Sequence, residues 1–332
     1  MTVRAQYPVF GRSVHGFDIR AKWFTAIYDE IRKQIPTELI RLFYVPAGPR
    51  MRWVYRAQMR FLERRSWVTH ITTNMHSFLL RRRARCPTVI TCYDVGLRWT
   101  TERLPLADRV LVSARQIKGE LESLVRLPHE PEVVYLAVPP SYTTADLERK
   151  ADQILFVGTE QTRKNVDGLF RILATVAREA PVTLVKVGPP SPERPRLQAL
   201  ARDLGIQDRV QWRDFVPEDE LIRLYRTSSL AVVPSFLEGF SMPCLEAMSC
   251  GCPLVASNLS AIPEVVGSGG LLLDPKDERA WADAILRILR DPDVRRDLSR
   301  RGVERARDFS AARSAKQVLR VYEEVSGERG AG

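Results

Sequence analysis

The stretch Ser235–Asn258, SFLEGFSMPCLEAMSCGCPLVASN, decides how this chain reads. It leaves a strand, turns through Glu238-Gly239-Phe240, enters a helix near Ser241 and ends in a second strand. Gly239, with no Cβ, permits an unusual backbone turn close to a ligand. The helix that follows presents N–H groups and the positive end of a dipole, a cradle suited to a diphosphate. Seven residues separate Glu238 from Glu246, which lies inside that helix beside the apolar Ala247, Met248 and Cys250. A carboxylate in such a segment needs hydrogen-bonding partners, and a pair of sugar hydroxyls would supply them.

Outward from this stretch, short β-branched runs alternate with helical segments from residue 153 onward, the pattern of a doubly wound α/β domain with a parallel sheet. The strand candidates begin at Ile154, Val182, Arg209, Leu230, Pro253 and Gly270. Amphipathic helices are expected at 165–179, 193–204, 218–227 and 241–250, and a helical tail over 277–325. In such folds, ligands bind beyond the carboxyl ends of the strands. The first strand of this half runs into FVGTEQTRKN (Phe156–Asn165), where Gly158 ends the strand and Arg163 and Lys164 stand at the start of the next helix. Arginine offers a bidentate fork to a diphosphate and lysine a point charge. Cations there oppose the helix dipole, a conflict that a bound anion would remove.

The first half is less regular. TVITCYDV (Thr88–Val95), DRVLVSA (Asp108–Ala114) and VVYLAV (Val133–Val138) read as buried strands. Together the halves predict two Rossmann-like doubly wound domains facing a central cleft: residues 1–140, a linker at 141–152 rich in proline, small polar and charged residues, and 153–310. A C-terminal helix over 311–332 is expected to cross back to the first domain.

Composition bounds the classes. No run approaches the roughly 18 apolar residues needed to span a bilayer, and no charged-then-apolar leader opens the chain, so a cytoplasmic protein is expected. The five cysteines lack paired metal-ligand spacing, which points to reduced, buried thiols, with no metal site. The formal charge of +11 is uneven: residues 1–150 hold 25 Lys and Arg against 14 Asp and Glu, and the remainder holds 26 of each. A basic first half favours phosphates, anionic lipid surfaces or nucleic acid.

The strand ending in VG, the RKN turn, the two glutamates of EGFSMPCLE and the string AMSCGCPLVASNLSAIPEVVG resemble the donor half of the group 1, family 4 retaining glycosyltransferases of the GT-B fold. The likeness covers essentially residues 153–310. More faintly, HGFDIR with His15 and Gly16 resembles the acceptor-side loop of that family, and TCYDV the strand end that follows. The resemblance implies a metal-independent enzyme without cofactor, whose donor is a UDP- or GDP-sugar. Arg163 and Lys164 would hold the diphosphate and Glu246 the ribose. Glu238, with main-chain N–H groups at Gly239, Phe240 and Ser241, would address the transferred sugar or its phosphates. DFVPEDEL (Asp214–Leu221), with Phe215 and Val216, would grip the nucleobase. Family members commonly carry histidine before the aspartate of the strand-end motif, and this chain has Tyr93 before Asp94. Tyrosine can bond a sugar hydroxyl but is not a comparable proton acceptor near neutral pH. His15, His70 and His76 remain as candidates for contact with the sugar or acceptor.

Pro49–Arg65, PRMRWVYRAQMRFLERR, places Met51, Val54, Tyr55, Met59 and Leu62 on one helical face and arginines on others. That composition suits a helix lying on an anionic membrane surface or an ordinary core-facing helix with a solvated back. RRRAR (Arg81–Arg85) adds a second cluster. The acceptor implied is a glycan or lipid-linked molecule met at the inner face of a membrane. Three alternatives stand beside this reading. A catalytically weak nucleotide-sugar-binding partner or regulatory subunit would fit Tyr93 and the short first half. An epimerase of similar fold would need acidic residues and histidines that the sequence does not place. Nucleic-acid binding would need aromatics interleaved with basic residues, found only around Trp53–Phe61, so no nucleic-acid partner is expected.

Overall fold

The computed structural model describes residues 4–10, 19–42, 57, 59, 67–80, 84, 86–96 and 98–330. The chain forms two compact units, Met1–Pro139 with Phe309–Gly332, and Pro140–Asp308.

The first unit holds a parallel sheet in the order β2-β1-β3-β4-β5-β6: β1 is Ala5–Phe10, β2 Thr37–Leu42, β3 Val68–Ile71, β4 Thr88–Cys92, β5 Arg109–Val112 and β6 Glu132–Val133. β1, β2 and β3 were not apparent in the sequence, and the run expected as a strand over 133–138 pairs only through Glu132 and Val133. The long C-terminal helix Ala311–Gly330 belongs to this unit. Its Val318, Val321, Tyr322 and Val325 join Ile27, Ile31, Val68, Val89 and Leu111 in one buried core. Each such side chain contributes about 1.5–3 kcal/mol by leaving water. Ser314 Oγ donates to Tyr135 O at 2.7 Å, and Arg109 pairs with Glu328.

The second unit is also a six-stranded parallel sheet, in the order β12-β11-β10-β7-β8-β9. Here β7 is Lys150–Val157, β8 Thr183–Val187, β9 Val210–Arg213, β10 Ser228–Val233, β11 Leu254–Ser257 and β12 Leu271–Leu273. The order reverses between β7 and β10, which makes the ends of these two strands a topological switch point. β7 starts inside the segment read as linker. The crossover helices are Val166–Val176, Arg194–Asp203, Glu218–Thr227 and Met242–Ser249. Phe156, Leu169, Phe170, Leu184, Leu230, Val232, Trp281 and Ile285 fill the core beneath them.

The helical tail expected over 277–325 divides into Glu278–Arg290, Pro292–Ala306 and Ala311–Gly330. The first break is chemical: Pro292 lacks an N–H, and Asp291 Oδ1 accepts from Asp293 N at 2.8 Å and Val294 N at 3.2 Å, which caps a new helix. Among the described residues no helix is long and apolar enough to cross a membrane.

His15, Gly16 and almost all of the basic segment 49–65 lie outside the described residues. Of that segment Ala57 and Met59 are helical, and Met59 is buried. Of RRRAR only Ala84 is described.

Candidate functional site

The switch point of the second unit brings together Arg163, Lys164 and Glu238 of the residues singled out in its sequence. β7 ends at Val157, and Gly158, next in the chain, donates its N–H to Val187 O at the end of β8 at 2.9 Å. Gly188 adopts φ +139, and a Cβ there would lie 2.3 Å from Gly158 O, so the two strand ends close together only because this position is glycine.

Arg163 and Lys164 were expected at the start of a helix, but they lie in a 3-10 turn, Thr162–Lys164, just before it. Asn165 then caps Val166–Val176, its Oδ1 accepting from Gly168 N at 3.2 Å. The anion facing both cations is Glu238. Lys164 Nζ lies 2.5 Å from its Oε1 and Arg163 Nη1 lies 3.5 Å from its Oε2. Arg163 also donates to Leu237 O at 3.0 Å, and Ser235 Oγ to Glu238 Oε1 at 2.8 Å. Lys164 and Glu238 are both buried, whereas Arg163 is 42% exposed. Loops leaving β7 and β10 thus bring two cations and a carboxylate together at the strand ends.

The strained turn falls at a different residue from the one read in the sequence. Gly239 has no positive φ; Ser241 does, at φ 76, immediately before Met242–Ser249. Among the described residues three non-glycine positions have positive φ, Asn165, Ser241 and Ser260. All three lie near the Lys164–Glu238 pair in the chain or are bonded to it. Asn165 follows its lysine partner, Ser241 is three residues on, and Ser260 Oγ donates to Glu238 O at 2.8 Å and accepts from Glu238 N at 3.3 Å. Backbone conformations of this kind persist where the surroundings over-determine them, characteristically at binding sites. No side chain caps the helix start, because Ser241 Oγ donates instead to Cys244 Sγ at 3.1 Å. Phe240 and Ser241 are buried, and Gly239 is half-buried.

Glu246 is buried in that helix, as its apolar neighbours required, and it has a protein partner that the sequence did not reveal. Tyr225 Oη, on Glu218–Thr227, donates to Glu246 Oε2 at 2.9 Å. Burial, then the charge of Glu246, pushes ionisation of the Tyr225 phenol well above its ordinary range, so it stays a donor.

Beyond β7, β8 and β9 lies a second set of charges. Glu160 and Lys186 are completely buried at 2.8 Å, and Arg194 Nη2 lies 2.5 Å from the same Glu160 oxygen. Ser191 N donates to Glu160 Oε2 at 2.9 Å. Burial opposes the Glu160 charge, yet the donors from Arg194, Lys186 and Ser191 hold its carboxyl below the usual range. Burial also lowers Lys186. Arg194 reaches on to Asp214 at 2.8 Å and lies over the Trp212 ring, 4.3 Å from its centroid. Asp214 begins the loop in which Phe215 is 63% exposed and Val216 is buried. Sequence reading missed this network. Its signal was present in VTLVKVG, where a lysine inside an otherwise apolar strand demands a buried counter-ion.

In the first unit, Tyr93 and Asp94 follow β4. Asn74 holds them: Tyr93 N donates to its Oδ1 at 3.3 Å, and its Nδ2 donates to Asp94 O at 2.7 Å. Tyr93 is buried and Asp94 half-buried. His70, considered as a sugar contact, is instead fully buried between Tyr322 Oη at 2.6 Å and Thr91 Oγ1 at 2.8 Å. His76 is half-buried in a 3-10 turn, edge-on to Phe78.

Two doubly wound α/β units, one carrying a cation pair and buried glutamates at its switch point, define the GT-B fold class. Solved structures share it along nearly the whole chain. Sucrose-phosphate synthase from Thermosynechococcus elongatus superposes with a TM-score of 0.81 at 20% identity, covering 98% of this chain and all of that one. Anabaena HepE, solved in complex with UDP and glucose, gives 0.79 at 17% identity over 97% of this chain and all of that one. Residues 145–305, within the second unit, match the family of group 1 glycosyl transferases. O-antigen chain mannosyltransferase B of Escherichia coli is 36% identical over 170 residues, 51% of this chain and 45% of that protein. A D-inositol 3-phosphate glycosyltransferase of Saccharomonospora viridis is 34% identical over 251 residues, 66% of this chain and 56% of that protein. The chain thus spans about half the length of the curated relatives it matches.

Proposed function

We propose that the chain is a retaining glycosyltransferase that moves a sugar from a UDP- or GDP-sugar to a hydroxyl of a glycan or lipid-linked acceptor. The observation that carries this reading is the meeting of Arg163 and Lys164 with Glu238 at the β7/β10 switch point, beside the helix that buries Glu246. The relatives named as a mannosyltransferase and an inositol-phosphate glycosyltransferase, and a neighbour solved with UDP and glucose, support it.

In this reading, the donor diphosphate takes Arg163 and Lys164 as counter-ions, and the N-terminus of Met242–Ser249 adds a dipole. Glu246 accepts from ribose hydroxyls. Phe215 and Val216 border the nucleobase, and Glu238 with the N–H groups of Gly239, Phe240 and Ser241 addresses the sugar. The acceptor hydroxyl attacks the anomeric carbon on the face the diphosphate leaves, the bond from that carbon to the diphosphate oxygen breaks, and the hydroxyl proton passes to the departing diphosphate. Charge developing on the diphosphate is neutralised by the basic side chains and the helix end, without a metal ion. The first unit receives the acceptor near Tyr93, Asp94, His15 and Gly16. Residues 49–65 dock on an anionic membrane at its cytoplasmic face.

The test is turnover of a panel including UDP-glucose, UDP-N-acetylglucosamine and GDP-mannose, with the anomer of the product read by NMR. Product of the donor's own anomeric configuration is expected. An inverted product overturns retention, and binding of a donor that is neither hydrolysed nor transferred overturns the enzyme assignment. Sedimentation with anionic liposomes tests the docking surface, and salt-insensitive or absent binding removes it.

A further inference from the structure

We infer that Tyr225 is a positioning residue whose phenol fixes the Glu246 carboxylate for the donor's ribose, and so sets a preference for ribonucleotides over 2′-deoxyribonucleotides. The inference rests on the donor-site reading of Glu246 and adds to it the residue that orients the carboxylate.

Glutamate turns about three side-chain bonds, so a ribose hydroxyl meeting an unrestrained carboxylate must also order it, at a cost in rotamer freedom. Here that ordering is built in. Tyr225, on Glu218–Thr227, is fully buried, and its Oη donates to Glu246 Oε2 at 2.9 Å from a neighbouring helix. The ring cannot swing away, because it is held within the fold and turns about only two bonds. One oxygen is thereby anchored, while a carboxylate retains acceptor sites for further donors. Tyr142 provides an internal comparison. It too is buried, and burial, then the charges of Glu246 and Glu218, raises its ionisation far above the ordinary phenol range.

The experiment is calorimetric titration of the full chain with UDP, GDP and their 2′-deoxy counterparts, for wild type, Y225F, Y142F, E246Q and the double variant Y225F/E246Q. Wild type is expected to prefer the ribonucleotide. Y225F weakens that form about tenfold, the size of one hydrogen bond to a charged group, and weakens the 2′-deoxy form, which keeps only the 3′ hydroxyl, by less. Y142F, stripped of an equivalent buried oxygen, keeps the wild-type ratio. The double variant discriminates no worse than E246Q, because both losses pass through one carboxylate. It also carries the test if Y225F fails to fold, since it removes the buried charge together with its donor. An unchanged ratio in Y225F, an equal loss in Y142F, or additive losses in the double variant overturn the role of Tyr225. A ratio unchanged in E246Q, or a wild type that binds neither nucleotide, instead overturns the donor-site reading beneath it.

Discussion

Lys164 and Glu238 form a buried ion pair at 2.5 Å between loops that leave β7 and β10, and Arg163 closes on the same carboxylate from the exposed side. Removing one member of such a pair strands a charge away from water, at a cost of about 3–5 kcal/mol, whereas replacing both by neutral groups of similar volume costs far less. Lys164→Met and Glu238→Gln should each lower stability strongly in urea unfolding, and the double variant should recover much of the loss. Donor turnover should behave differently. The double variant stays about 10²–10³-fold below wild type, because a cation facing the leaving diphosphate has gone. Additive stability losses would falsify the pairing, and recovery of turnover together with stability would show that Lys164 serves the fold alone.

Glu160 gives a similar prediction outside the proposed reaction centre. Its carboxylate neutralises Lys186, which has no exposed surface, and holds Arg194 over Trp212. Glu160→Gln keeps the shape and leaves Lys186 charged without a counter-ion, so stability should fall by about 3–5 kcal/mol, and Lys186→Met in the same chain should restore part of it. Because Arg194 also reaches Asp214, at the start of the Phe215 loop, nucleotide affinity is expected to fall along with stability. Affinity retained at full strength in a folded Glu160→Gln protein would separate the network from the loop.

Ser241 tests the strained turn. At φ 76 a β-branched side chain is strongly disfavoured, while glycine adopts this backbone freely. Ser241→Gly should therefore change stability by less than about 1 kcal/mol, and Ser241→Val should lose about 1–3 kcal/mol and weaken nucleotide binding. Equal melting temperatures for the two variants would place the turn in an ordinary conformation.

The second unit was legible because parallel strands buried on both faces appear as near-continuous apolar runs, as in ILFVG and LAVVPS. The first unit was not, for reasons visible in particular residues. β1 carries Pro8, β2 carries Glu38 and Arg41, and β3 contains a buried histidine, so none stands out as an apolar run. VVYLAV misled in the opposite sense. Val134, Leu136 and Ala137 are apolar because they are buried, yet the chain leaves the sheet after Val133. At the site, the sequence displayed the charged residue types but not their cross-element partners. Tyr225, Asn74 and Ser260 reach Glu246, Tyr93 and Glu238 only through the fold. Gly239 drew attention as the residue that permits an unusual turn, whereas the positive-φ backbone sits at Ser241, which sequence patterns do not mark.

His70 ties the C-terminal helix to the first sheet through Tyr322 and makes acid stability measurable. Burial lowers its pKa from 6.5 to about 3, so the folded protein holds the ring neutral where the unfolded chain binds a proton. More protons on the unfolded state mean that stability rises with pH, and the contribution is therefore full above pH 6.5 and is lost as pH falls toward 3. Each pH unit inside that window is worth about 1.4 kcal/mol, so lowering the pH from 6.5 to 5 should remove about 2 kcal/mol through this residue alone. The chain's three other histidines also titrate in that interval, so the comparison with a non-titrating variant is what isolates His70. His70→Gln keeps donor and acceptor atoms but cannot titrate, and its unfolding free energy should be flatter over the interval by that amount, even if lower throughout. Parallel curves for wild type and His70→Gln would show that another group sets the acid limit and that the link to Tyr322 is only a packing contact.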